Sequence, residues 1–160
     1  MSSYSERTRR TGRLLIVGAA CTLAGFAAGA LAVDSKPMIV TPIEDAQFKP
    51  LDPARPDGPQ LAVLRGDPAT GPSDMLLKLQ KGPGRLHLHT ADYHLVLLKG
   101  TMKHWAEGEK EADAKTLGPG SYWFQPGGQA HGDSCFSEEC LMFVSWAGKR
   151  DARLAAGRGE

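Results

Sequence analysis

The sequence predicts an all-β domain, a barrel or a sandwich, on three observations. From Met75 onward the apolar residues fall in short runs of five to nine, cut by Gly and Pro: MLLKLQ, RLHLHT, HLVLLKGTMKHW, KTLGPGSYWFQPGG and CLMFVSWAG. Runs of that length bounded by turn chemistry are strand signals. No helical period emerges across 61–148. Before these runs, Pro37, Pro42, Pro50, Pro53, Pro56 and Pro59 crowd residues 34–60; each fixes its own φ and pushes the preceding residue out of the α region, so no long helix fits there.

Taken in order, residues 1–32 read as an export signal. Four Arg and one Glu give this stretch a net charge of +3, against 15 basic and 17 acidic residues, net −2, in the remainder. The basic MSSYSERTRRTGR is followed by an uncharged run from Leu14 to Val33 that passes through Ala30-Leu31-Ala32. A basic segment, an apolar stretch and an A-x-A site make a secretory signal, cut after Ala32. The uncharged run at ~1.5 Å per residue also spans about 30 Å, so an uncleaved membrane anchor is the alternative. Thr8-Arg9-Arg10 matches a twin-arginine signal in part. Either route places residues 33–160 outside the cytoplasm, in a bacterial periplasm or beyond.

Residues 33–60 form a Pro-rich N-terminal arm, with strands expected near Met38–Thr41 and Leu61–Arg65. Residues 61–150 hold the β domain. Charged Ala106–Lys115 is expected as a hairpin tip, and Asp151–Glu160 as a frayed helix or tail. A length of 160 residues suits one domain. Overall net charge of +1 lacks the basic footprint of a nucleic-acid binder. No Ser-His-Asp set and no phosphate-binding loop is present.

The informative residues are the histidines. All five lie between 87 and 131: His87, His89, His94, His104 and His131. On a strand, residues i and i+2 share a face, so His87 and His89 can converge on one metal while Leu88 points away. His94 follows after Thr90-Ala91-Asp92-Tyr93, the length of a turn into the next strand. His104, before Trp105, reads as an ordinary strand residue.

Gly82, His87, His89, His94 and Gly100, with Gly120, Pro126, Gly128, His131 and Cys135, resemble the two motifs of the cupin superfamily. The first motif runs Gly, a spacer, His-x-His, three or four residues, Glu, then Gly; the second runs Gly-x5-Pro-x-Gly-x2-His-x3-Asn. Here His94 is read at the Glu place and Cys135 stands for Asn. The resemblance covers roughly residues 70–146. It implies a double-stranded β-helix, a jelly-roll barrel, holding a divalent metal through His87, His89 and His131. It makes His94 either a fourth ligand or a base or hydrogen-bond donor beside a three-histidine site. More loosely, the chain looks like a subgroup near the anti-sigma-factor cupins and the acetylacetone-cleaving dioxygenases.

Imidazole ligands suit Fe, Zn, Cu, Ni or Mn better than Mg or Ca; the resemblance favours Fe(II). It implies dioxygenase chemistry on a small enolisable compound, with a non-catalytic periplasmic binding module and a structural Zn site closed by four histidines as the alternatives. Strand alternation puts Arg85 on the face of His87 and His89, where it would complement an anionic substrate. It puts Tyr122 and Phe124 on one face of their strand, as candidate substrate contacts or plain packing. Cys135 and Cys140 remain after signal removal, and an even count in an oxidising compartment reads as a disulfide. The expected partners are a small-molecule substrate and, by resemblance, a second copy of the chain joined through the arm. Nucleic acid is not among them, and a membrane only if the first segment stays uncleaved.

Overall fold

The structure, a computed structural model, describes residues 36–155; the expected export signal lies outside the described residues. The described residues from 39 onward form one compact unit, a curled antiparallel sheet, an all-β jelly roll. Its strands are β1 (Lys49–Pro50), β2 (Gln60–Gly66), β3 (Ser73–Gly82), β4 (His87–Leu88), β5 (Tyr93–Lys99), β6 (Met102–Ala106), β7 (Thr116–Leu117), β8 (Tyr122–Gln125), β9 (His131–Trp146) and β10 (Arg153–Leu154). The hydrogen-bonded order is β1-β2-β3-β9-β4-β10, with β5 pairing β8 and β9, and β6 pairing β7 and β9. The two helical pieces among the described residues are single 3₁₀ turns at Ile43–Asp45 and Glu111–Asp113.

Period-2 alternation decides which residues enter the barrel. Along β5, Tyr93, Leu95 and Leu97 are buried while His94 and Leu98 are exposed. Met75 from β3, Met102 from β6, and Met142, Val144 and Trp146 from β9 complete the wall. Burying a side chain of this size contributes about 1.5–3 kcal/mol, so the alternation fixes the register: a one-residue slip would turn every apolar side chain outward.

Strand β9 organises the domain because its two halves have different partners. Residues 131–135 pair with β6, and residues 141–146 pair with β5, while β3 runs along the other edge. On β3, Gln80 and Gly82 are two residues apart; their partners Glu139 and Cys135 are four apart. Strand β9 therefore bulges outward between its halves, a device that bends a strand and re-aims its side chains. The disulfide between Cys135 and Cys140, with Cα atoms 6.0 Å apart, clamps that bulge. Chain-entropy arithmetic gives so short a loop only ~2 kcal/mol; its effect is local.

Three expectations are corrected. Met38–Thr41 forms no strand, and its apolar side chains are exposed, Met38 at 89%. The stretch 106–115 does connect two paired strands, β6 and β7, but carries a 3₁₀ turn as well. Asp151–Glu160 does not begin as a helix. Arg153 and Leu154 pair with Leu88 and His87, because β4 would otherwise leave its outer backbone groups without partners.

Candidate metal centre

Strand β4 delivers His87, and the residues that follow deliver His89. His131 opens β9 and lies directly opposite His87 in register. One ring nitrogen from each of the three falls within 4.8 Å of the others. His89 is buried at 7% exposure and His131 at 1%.

The outer nitrogens show what the inner ones are for. His87 Nδ1 bonds the Arg85 carbonyl at 2.8 Å, His131 Nδ1 the Gln129 carbonyl at 3.1 Å, and His89 Nδ1 the Asp151 carbonyl. A carbonyl only accepts, so each Nδ1 carries the hydrogen and each neutral ring keeps its lone pair on Nε2. Metal-binding histidines are oriented in this way, with the far N–H anchored to a carbonyl or carboxylate. The donor set therefore fits a divalent transition metal. The Asp151 carboxylate also accepts from Thr90 N at 2.9 Å and Thr90 Oγ1 at 2.7 Å, fixing the strap that holds His89.

Burial favours the neutral form of His89 and His131. It pulls the His89 pKa down from 6.5 to about 4, against the opposing bond to Asp151, and it lowers His131 as well. A ring whose folded pKa is depressed stabilises the fold above the unfolded value and loses that contribution as pH falls. Metal-free protein should therefore weaken between pH 6.5 and about pH 4 and change little further from this cause. The His89 share is about 2–3 kcal/mol. Urea midpoints at pH 7.5 and 4.5 measure it; equal midpoints would contradict neutral burial.

His94 does not join the other three. Its side chain lies on the outer face of β5, opposite Phe124, with Nδ1 2.8 Å from the Tyr122 hydroxyl. Tyr122 and Phe124 are likewise exposed, at 59% and 45%. These three side chains form an external aromatic cluster, so the expected fourth ligand and the two expected aromatic contacts are corrected by strand facing. No four-histidine shell is formed. The position inside the barrel belongs to Tyr93, whose hydroxyl donates to His131 Nε2 at 3.1 Å. Counting three residues after His89 instead of four places the motif's acidic position on Tyr93; the spacing alone left both counts open. Burial first, then the nearby Asp133 charge, raises the Tyr93 pKa well above its usual value, so it remains a phenol.

Two more residues went unread. Asp133, two positions beyond His131 on the same strand face, puts Oδ2 3.8 Å from Nε2 of both His87 and His131. Its carboxyl is held below the usual range despite burial, which opposes ionisation, because His104 hydrogen-bonds it and His104, His131 and His87 surround it. His104 lies opposite Asp133 on β6 and donates Nδ1–H to Oδ1 at 2.7 Å. It is a supporting residue of the site and not an ordinary strand residue. The i+2 rule that paired His87 with His89 would have found Asp133 had it been applied to His131.

His87 and His89 line a cavity of about 630 Å³. Its walls are apolar, including Met75, Leu95, Met142 and Val144, and Arg55, Arg85, Arg150 and Arg153 also line it. Arg85 lies in the loop before β4, not on a strand; it lines the cavity and is itself exposed. Burial lowers the pKa of Arg150 from the usual arginine value. An apolar pocket with a few fixed charges suits a small organic anion.

Residues 39–147 match the family described as a domain of unknown function (DUF4437). No protein of curated function matches in sequence. Among solved structures, an RmlC-like cupin from Shewanella frigidimarina NCIMB 400 is 17% identical over 69% of this chain and 91% of that chain, with a TM-score of 0.55. The DMSP lyase DddQ from Ruegeria pomeroyi DSS-3 is 20% identical over 79% and 75%, with a TM-score of 0.57. The polyketide cyclase RemF from Streptomyces resistomycificus is 18% identical over 74% and 86%, with a TM-score of 0.58. At such identities the likeness establishes a shared fold.

Proposed function

Since the chain belongs to the DUF4437 family, a domain of unknown function with the cupin fold, we propose that it is an exported mononuclear metal enzyme acting on a small enolisable organic anion. The observation that carries this reading is the trio of imidazoles, each anchored at Nδ1 and grouped within 4.8 Å, two of which line an arginine-bearing apolar cavity. His87, His89 and His131 would hold one divalent transition metal, Fe(II) before Zn, Cu, Ni or Mn. When bound, the metal supplies a Lewis acid that polarises a substrate carbonyl and favours its enolate. Arg150 and Arg85 would pair with the anionic end. The apolar walls would strip water from the reacting carbon. Tyr93, held as a phenol beside His131, would donate or relay a proton at the substrate oxygen. The Cys135–Cys140 disulfide supports an oxidising compartment.

The test separates two outcomes that share the enolate. Tag-free protein loaded anaerobically with Fe(II) is given small 2-oxo acids and 1,3-dicarbonyl acids in deuterium oxide. Metal-dependent exchange of the α-hydrogen supports the reading. Oxygen uptake on admitting air then assigns dioxygenase chemistry, and product formation without oxygen assigns lyase or isomerase chemistry. Absence of metal uptake, or a loaded protein that exchanges no substrate hydrogen, would overturn it. Tyr93→Phe should keep the metal while turnover falls by about 10²–10⁴; unchanged turnover would remove the phenol from the mechanism.

A further inference from the structure

We propose that Asp133 is the carboxylate ligand of the metal held by His87, His89 and His131. This assignment rests on the metal reading above.

Asp133 faces two nitrogens of the histidine trio. Its Oδ2 stands 3.8 Å from His87 Nε2 and 3.8 Å from His131 Nε2. Each ring is anchored at Nδ1 by a carbonyl, and His131 Nε2 also accepts from the Tyr93 hydroxyl at 3.1 Å. Oδ2 itself takes no hydrogen bond among the described residues, its partner oxygen Oδ1 holding the contact to His104. A cation shared with the two nitrogens would give Oδ2 its partner. The spacing suits one: ligand atoms about 2.1 Å from a common ion lie roughly 3.0–4.2 Å apart.

The far oxygen is anchored as a ligating carboxylate usually is. Oδ1 accepts from His104 Nδ1 at 2.7 Å. His104 Nε2 in turn donates to Gln125 Oε1 at 3.1 Å. The Gln125 amide cannot flip, because its nitrogen donates to the carbonyls of Pro126 at 3.1 Å and Gln129 at 3.2 Å. The two nitrogens of His104 thus face Asp133 Oδ1 and Gln125 Oε1. The chain of contacts ends on main-chain carbonyls and leaves Oδ2 alone to turn toward the histidines. Asp133 stands outside the 4.8 Å group formed by the three histidines, so the assignment requires Oδ2 to move toward them when the ion binds. The site so formed has three neutral ligands and one anionic ligand. Its carboxylate comes from the strand of His131 and not from β5, where Tyr93 takes the inward place.

The test uses the full exported domain, wild type and Asp133→Asn, Asp133→Glu and His104→Gln. Zn(II) affinity is read by chelator competition and coordination by the visible spectrum of the Co(II)-loaded protein. Asp133→Asn keeps the side-chain shape and should lower Zn(II) affinity by about 100-fold or more, with a changed Co(II) spectrum. Asp133→Glu should recover most of that loss. His104→Gln should cost about 10-fold and leave the Co(II) ligand count as in wild type. Should Asp133→Asn fail to fold, a crystal structure of the Zn-loaded wild type decides: an Asp133 oxygen within about 2.2 Å of the metal supports the assignment, and one beyond about 3 Å overturns it. Wild-type uptake with an Asp133→Asn affinity and spectrum that match it overturns this assignment alone. A wild type that takes up no metal overturns the metal reading and this assignment together.

Discussion

His87→Ala is expected to abolish stoichiometric metal binding while leaving the barrel folded. The side chain keeps 24% of its surface exposed, and its one anchor, the Arg85 carbonyl, is two residues away and exposed. Little core packing depends on it, so the stability of the metal-free protein should move by less than about 1 kcal/mol. The loss of metal affinity should exceed the roughly 100-fold typical of removing an outer hydrogen-bond partner. His131→Ala makes the informative contrast. His131 is 1% exposed and packs its ring against those of His87, His89, Tyr93 and His104. Truncation empties that space and strands the Tyr93 hydroxyl, and should cost about 2–4 kcal/mol in the metal-free protein along with the metal. Metal analysis and urea unfolding of the two variants side by side decide the matter. A His87→Ala protein that still holds one tightly bound metal per chain would remove His87 from the ligand set.

Gly84→Ala should be the most disruptive methyl that can be added near the site. A Cβ at position 84 would stand 1.6 Å from the Asp133 carbonyl oxygen, 2.6 Å from its carbon and 2.9 Å from its nitrogen. These are backbone atoms, so no rotamer change relieves the contact. Either the segment before β4 or the start of β9 must move, and Gly84 N also gives up its bond to Ser134 Oγ at 3.0 Å. The expected cost is about 3 kcal/mol, a fall of roughly 10 °C in Tm, with weakened metal binding because Asp133 and His131 share the displaced strand. Gly118→Ala is the control: nothing lies within 4 Å of its added Cβ, and its change should stay within about 0.5 kcal/mol. Equal melting temperatures for the two variants would show that β9 yields there.

The strand content was legible because apolar runs and Gly/Pro punctuation reflect burial directly. His87, His89 and His131 were legible as a group because their chemistry is rare and their spacing has period 2. What failed was facing. A turn between His89 and β5 can end one residue sooner or later, and that residue decides whether Tyr93 or His94 enters the barrel. Tyr122 and Phe124 went outward for the same reason, being paired in register with β5. Asp133 shares the face of His131 by the same i+2 rule, but the role of His104 was hidden because its meeting with Asp133 depends on β6 lying beside β9, which is written in no local pattern. The tail was misjudged because a two-residue strand has almost no sequence signature.

The hydrogen bonds of Asp151 set an order of assembly. His89 and Asp151 are 62 residues apart along the chain, so His89 cannot acquire its final ring orientation until nearly all of the domain has been made and β10 has closed over β4. Contacts of such long sequence separation form late. Capture of an ion by all three histidines would thus report on completed folding: a chain halted or clipped before residue 151 should form most of its strands and still fail to orient His89. The segment from Asp151 to Leu154 would act as the latch that tells a finished site from an unfinished one.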